Sequence, residues 1–213
     1  MTRHERGPST LADAVRRAGV RDARLLDAFR TVDRTGFVPS AYASVAHTDD
    51  AIPIGHGQVT TQPSLIGHMI EALRLCGTER VLEIGSGFGY QTAILAALAD
   101  RVYSIEIVAE LAEHARENLA RAGIHNATVV VGDGHLGLDT YAPYQAIVVS
   151  AAAPSVPPAL VAQLALDGRL VQPIGPGGDE IVVVFRKRDG ALIEERRLTA
   201  ACFVPLTGET GRL

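Results

Sequence analysis

From residue 80 onward the chain alternates two kinds of segment, and that alternation restricts the fold more than any other feature. Short runs rich in β-branched residues are RVLEI (80–84), RVYSIE (101–106), ATVVV (127–131), QAIVVS (145–150) and RLVQPIG (169–175). Alanine-rich or amphipathic stretches separate them: YQTAILAALA, VAELAEHARENLARAG and PPALVAQLAL. Strands that alternate with helices connect through right-handed crossovers and build a largely parallel sheet. The last segment breaks the pattern, because EIVVVFRKR and ALIEERRLTAACFV flank Asp189-Gly190, a pair that favours a tight hairpin turn. The expected fold is therefore α/β and Rossmann-like: a mostly parallel, doubly wound sheet with an antiparallel C-terminal hairpin and an N-terminal helical and loop addition.

In that addition, Ser9 and Thr10 can cap a helix over LADAVRRAG, which Gly19 can end, and DARLLDAFRTV reads as a second helix. Residues 37–64 have no clean period. They contain Phe37, Val38, Tyr42, Ile52 and Ile54, which call for burial, so an ordered excursion is expected and not a linker. IGHMIEALRL, from residue 66, resumes helical spacing. With 213 residues, a single domain is expected, with residues 1–65 forming the helices and a substrate and cofactor loop and 66–213 forming the core.

Apolar residues make up 47% and tryptophan is absent, so the core must be built mainly of Val, Leu, Ile and Ala. The net charge of −4, with both signs interspersed, gives no basic stripe for nucleic acid. Cys76 and Cys202 share no metal or redox spacing and are expected to be free, buried thiols in a reducing compartment. MTRHERGPST has no apolar signal core, and AILAALA (93–99) is too short to cross a bilayer. A cytoplasmic protein without membrane partners is the expectation. The seven histidines match no ligand spacing, so no metal is expected. The EERR run at 194–197 reads as a solvated strand face.

VLEIGSGFGY (81–90) carries the chemistry. A buried strand runs into Gly85, Gly87 and Gly89, and a helix begins at once. Glycines let a ligand approach the backbone, and a helix N-terminus offers free N–H groups. Glu106 ends the next strand about 20 residues later, where an acid grips ribose hydroxyls in doubly wound folds. Asp133-Gly134 follows the third strand, where Asp133 can accept from an adenine amino group; a plain turn is the alternative. Glu83-x-Gly-x-Gly-x-Gly, a strand-end acid and this Asp-Gly form the layout of class I S-adenosylmethionine-dependent methyltransferases. A nicotinamide dehydrogenase fits less well, since its site usually reads GxGxxG. Tyr90 and Phe88 can pack on a cofactor or on the next helix. Ser150 ends a strand at a ligand-facing edge, yet the AAAP after it reads as tight backbone packing, so a structural role is expected.

Over almost its full length the chain resembles protein-L-isoaspartate O-methyltransferases. The residues that carry this are RTGFVPSAY (34–42), IPIGHGQVTTQP (52–63), LEIGSGFGYQTAILA (82–96), GDGHLG (132–137), APYQAIVVSAAAPSVPPALVAQL (142–164), GRLVQPIG (168–175) and FVPLTG (203–208). The resemblance implies methyl transfer from S-adenosyl-L-methionine to the α-carboxylate of an L-isoaspartyl residue in damaged proteins or peptides, leaving S-adenosyl-L-homocysteine. The ester then collapses to a succinimide, whose hydrolysis restores some aspartate. It further implies that Thr61 supplies a catalytic hydroxyl, in a loop where the family pattern is Gln-Thr-Ile-Ser and this chain reads Gln58-Val59-Thr60-Thr61. Cofactor contacts are implied for Val59, Thr60, Gln62, Glu83, Gly85, Ser86, Gly87, Glu106, Ile107, Asp133, Gly134 and Thr207. Substrate contacts are implied for Ile54, Gly55, Gln58, Val204 and Leu206, the last two through their backbone. His47 stands where the family more often has tyrosine. A monomer acting on isoaspartyl proteins is expected. A paralogue that methylates an aspartate of one dedicated peptide, and a non-catalytic S-adenosylmethionine-binding protein, remain as alternatives.

Overall fold

The computed structural model describes residues 10–176 and 178–208. Thr10 closes a capping box on α1 (Leu11–Ala18), its hydroxyl accepting from the Asp13 N–H while Asp13 accepts from the Thr10 N–H. Ser9 lies outside the described residues. Asp22 caps α2 (Ala23–Thr31) through its side chain alone, which accepts from the N–H groups of Arg24 and Leu25. The excursion that follows is not featureless. Short 3-10 turns at Arg34–Phe37 and Ser40–Val45 lead to an antiparallel pair, β1 (Ile52–Gly55) and β2 (Gln58–Thr60). Phe37, Val38, Ile52 and Ile54 are buried, whereas Tyr42, expected inside, is 37% exposed on a 3-10 turn that buries none of its residues. α3 (Pro63–Leu73) starts on a proline, whose missing N–H costs nothing at that position.

The core then alternates: β3 (Arg80–Ile84), α4 (Tyr90–Ala96), β4 (Arg101–Glu106), α5 (Ala109–Arg121), β5 (Ala127–Val131), β6 (Tyr144–Val149), α6 (Pro158–Gln163), β7 (Leu164–Ile174), β8 (Glu180–Arg188) and β9 (Ala191–Ala201). One seven-stranded sheet runs in the order β5-β4-β3-β6-β7-β8-β9. The first five strands of that order are mutually parallel, and β8 and β9 are antiparallel. The chain winds outward from β3 in one direction and from β6 in the other, so the C-terminal ends of β3 and β6 flank the switch point at which such sheets bind ligands. α1, α2 and α3 share one apolar cluster with α4, α5 and the buried face of the sheet.

Two expectations are corrected. The helix read over PPALVAQLAL stops at Gln163, because Leu164 is already extended and pairs with Tyr144 at the start of β7. Both thiols, Cys76 and Cys202, are free but exposed, since one lies in the turn after α3 and the other just past the edge strand β9. The EERR face is solvent-exposed.

The Asp189-Gly190 turn has positive φ at both positions, 50° and 80°, as a twisted two-residue hairpin requires. A Cβ on Gly190 would meet nothing within 4 Å, so backbone strain alone sets the cost of adding one. Gly190→Ala is expected to lose about 1 kcal/mol in urea unfolding. An unchanged midpoint would contradict this account of the turn.

Candidate active site

Gly85, Gly87 and Gly89 hold φ values of 91°, 52° and 89°, a run that only glycine adopts without strain. At Gly87 the bare backbone is also needed sterically. A Cβ on Gly87 would lie 2.9 Å from Cδ1 of Ile54, so the β1–β2 hairpin rests directly on the loop. Glu106 closes the loop from the β4 side. Its Oε2 accepts from the Gly87 N–H at 2.9 Å and its Oε1 from the Val108 N–H at 3.1 Å, while the side chain still faces the cleft.

Three connected spaces meet at this point. The cleft above the loop is walled by Ile54, Gln58, Val59, Thr60 and Thr61 of the hairpin and by Gly85, Ser86, Gly87, Phe88, Tyr90 and Gln91 below. A second lobe continues past Gly85 and Glu106 to Ile107, Gly134, Leu206 and Thr207. A groove of about 460 Å³ opens between α3 and the end of β9, with Gln62, Ser64, His68 and residues 199–204 along it. Val59 and Thr61 face both the cleft and the groove, and Ser150 and Val204 line all three spaces.

The structure therefore gathers most of the expected residues, with informative departures. Glu83 does not reach the cleft. It is fully buried under the loop, where its carboxylate accepts from Gln91 Nε2 at 3.0 Å and from the hydroxyls of Thr92 and Ser104. Asp133 caps the turn after β5 through Oδ1, accepting from the His135 N–H at 2.8 Å and pairing with the His135 ring. Thr60 turns its hydroxyl inward, where it accepts from Arg34 at 2.6 Å. Gln62 lies on the groove, with its amide donating to Asp49. Gly55 makes the hairpin bend at φ 89° and lines none of the three spaces. Of the backbone groups expected to meet substrate at Val204 and Leu206, the Val204 carbonyl and the Leu206 N–H are paired with Ala152 at 2.8 and 2.7 Å.

Two residues were missed. Ser150 reads from its sequence neighbours as a packing residue, although its place at the end of β6 is the signal. Gln91 reads as an ordinary helix residue, and nothing in the sequence marks it. Tyr90 packs on Phe29 and Phe37 and also borders the cleft; Phe88 stacks near His114. Among the described residues no three His, Cys, Asp or Glu side chains gather into a metal site, and no helix is long and apolar enough to cross a membrane.

A parallel sheet with a glycine loop after its first core strand and an acid at the end of the next is a Rossmann-like methyltransferase fold. A Plasmodium falciparum beta-aspartate methyltransferase structure, solved in complex with S-adenosyl-L-homocysteine, shares it at a TM-score of 0.80 and 24% identity, covering 92% of this chain and 96% of that one. A structure of a protein-L-isoaspartate O-methyltransferase superposes at a TM-score of 0.83 and 28% identity, covering 94% and 66%. Sequence narrows the class to a family. The family model for protein-L-isoaspartate(D-aspartate) O-methyltransferase matches residues 6–211. The protein-L-isoaspartate O-methyltransferase of Methanoculleus marisnigri is 47% identical over 197 residues, covering 92% of this chain and 89% of its own. That of Myxococcus xanthus is 46% identical over 201 residues, covering 93% and 95%. The chain belongs to the protein-L-isoaspartate(D-aspartate) O-methyltransferase family.

Two outcomes follow from the buried ions. Arg34→Lys replaces a fork of donors with one ammonium and leaves buried acceptors unpaired, so a loss of about 2–3 kcal/mol is expected in urea unfolding. Burial pushes the Glu83 carboxyl up to about 7, against an ordinary value of 4.5, and the three hydrogen bonds only partly offset it. A group with a raised folded pKa binds its proton more tightly in the fold, so its contribution to stability is greatest below the unfolded value and declines as pH rises toward 7. Relative to Glu83→Gln, the wild type should therefore be less stable at about pH 8 than at about pH 5; a difference constant over this range would refute the assignment.

Proposed function

We propose that this chain transfers the methyl group of S-adenosyl-L-methionine to the α-carboxylate of L-isoaspartyl residues in damaged proteins and peptides, with Thr61 orienting that carboxylate. One observation carries the reading: Thr61 stands on the wall shared by the glycine-loop cleft and the groove beside β9, where a donor in one and a peptide in the other would meet.

The cleft fits the cofactor by its unmet polar groups. Ser86 Oγ and Gln91 Oε1 are buried on its floor without a hydrogen-bond partner. Buried polar atoms are rarely left so, and a ligand with hydroxyl and ammonium donors would satisfy them. Gly85, Ser86 and Gly87 would hold it from below, Glu106 would accept from ribose hydroxyls, and Ile107, Gly134 and Thr207 would flank the purine end. Val59 and Gln58 would cover it from the hairpin. When bound, S-adenosyl-L-methionine supplies an electrophilic methyl carbon on a sulfonium with a good leaving group.

The chain's own residues need do little chemistry. A carboxylate is already ionised at neutral pH, so no general base is called for. Alignment of the attacking oxygen accounts for the catalysis, and a neutral hydroxyl orients a carboxylate without quenching it as a full positive charge would. The peptide lies in the groove between α3 and the end of β9, with Val204 at its inner end. Two exposed, unpaired thiols suit a reducing compartment, which supports a cytoplasmic location.

The test uses labelled S-adenosyl-L-methionine and two matched peptides, one with L-isoaspartate and one with aspartate. Base-labile methyl ester should form on the isoaspartyl peptide alone; label on neither would sink the reading. In the same assay Thr61→Ala should lose more than about tenfold in turnover while the cofactor still binds. Turnover within about twofold of wild type would remove Thr61 from its role.

A further inference from the structure

The geometry points to Ser150 as a second hydroxyl that donates to the isoaspartyl carboxylate, from the sheet side of the cleft and groove that Thr61 also lines, with its hydrogen bonding fixed by Gln91. This rests on the function proposed above and names a substrate-binding residue for it.

Ser150 is the first residue past β6, and its N–H is bonded to the Ile84 carbonyl at 2.9 Å, which ties it to the end of β3 at the switch point. Its side chain borders the cleft, the second lobe and the groove. Its Oγ lies 2.9 Å from Gln91 Nε2, and the same nitrogen lies 3.0 Å from Glu83 Oε1. The other Glu83 oxygen is occupied by the hydroxyls of Thr92 and Ser104.

With Glu83 ionised, those contacts settle the direction of each bond: the carboxylate only accepts, so the nitrogen end of the Gln91 amide faces it. An amide nitrogen only donates, and its two protons go one to Glu83 and one to Ser150. Ser150 Oγ therefore accepts from Gln91, and its own proton has no acceptor among the described residues. That proton belongs to a half-buried hydroxyl at the one place where all three spaces meet. An anionic oxygen entering from the groove is the acceptor that suits it, and such a bond is among the stronger ones a neutral side chain makes.

Thr61 and Ser150 differ in what supports them. Thr61 sits on the hairpin, whereas Ser150 sits on the sheet and is braced by a helix side chain that is itself held by a buried acid. One wall thus fixes the carboxylate's position and the other completes its orientation. Neither adds a positive charge.

The experiment compares wild type, Ser150→Ala and Ser150→Thr in steady-state methylation of the isoaspartyl peptide. The same peptide with its α-carboxyl amidated serves as competitive inhibitor, and calorimetry measures S-adenosyl-L-homocysteine binding. Ser150→Ala should raise KM for the isoaspartyl peptide about tenfold, the loss of one hydrogen bond to a charged group. The inhibition constant of the amidated peptide and the S-adenosyl-L-homocysteine affinity should stay within about twofold, and Ser150→Thr should restore KM. A KM for Ser150→Ala within about twofold of wild type overturns the inference. So does an equal weakening of the amidated peptide, which would mean general damage to the groove, or a loss confined to cofactor affinity. A wild type that methylates no isoaspartyl peptide overturns the proposed function and this inference together, whereas an active wild type with an unaffected Ser150→Ala overturns this inference alone.

Discussion

The guanidinium of Arg34 is fully buried, and the shape of the site depends on it. Residues 46–51 lead into the β1–β2 hairpin without regular structure of their own, and the carbonyls of Ala46, Thr48, Asp50 and Thr61 lie outside its ladder. Buried carbonyls left alone would cost more than the excursion could recover from packing. Arg34 meets them with one planar fork. It donates to the carbonyls of Ala46, Thr48 and Asp50, to the carbonyl of Thr61 and to the hydroxyl of Thr60, and it lies 5.5 Å from the centre of the Tyr90 ring. The cation is surrounded by dipoles and by a ring face, and Tyr90 in turn opens the helix that follows the glycine loop. One side chain thereby sets the height of the hairpin above the loop.

Two buried acids do for the rest of the site what Arg34 does for the hairpin. Glu83 gathers Gln91 and Thr92 of α4 and Ser104 of β4 around one carboxylate, which fixes α4 against the sheet. Glu180, buried at the start of β8, accepts from the Phe203 N–H at 2.9 Å and so ties down the chain where it leaves β9 for the cleft. From there Val204 and Leu206 pair with Ala152, and the terminal stretch becomes an added parallel partner to the loop after β6. In all three cases a buried ionisable side chain is held by neutral donors or acceptors, with no ion pair within 4 Å among the described residues. Such arrangements are weak sources of stability but strong sources of orientation. The orientation they give converges on one point, the meeting of cleft, lobe and groove.

How much of this could be read from the sequence follows from the range of the interactions. The strands and the helices between them were legible because each carries its own periodicity, and the glycine loop because its backbone geometry demands glycine at fixed spacing. Glu106 was legible for the same reason, being set by the length of one strand–helix–strand unit. Glu83 was legible as an acid but not in its role, because what it touches comes from α4 and β4 and not from its own segment. Gln91 and Ser150 are about sixty residues apart in sequence and carry no motif; their pairing exists only once β3 and β6 lie side by side. The terminal residues Val204 and Leu206 were placed at the site, but their use of Ala152 depends on a pairing that no local pattern announces.

The hairpin over the cleft is held unequally at its two ends, and magnitudes decide which end matters. At its tip, His56 pairs with Glu110 at 2.8 Å, but the two side chains are 43% and 71% exposed. A pair so open to solvent contributes at most about 1 kcal/mol and is weakened further by salt. At its root, Thr60 and Thr61 are bonded to a cation that has no access to water. Between the two, Ile54 presses on Gly87, a contact that exists only because that position lacks a side chain. The firm end is therefore the one that carries Thr61, and the loosely held end is the one over the outer part of the cleft. That division suits a reaction in which the attacking oxygen must be placed closely while the methyl donor and its product exchange at every turnover.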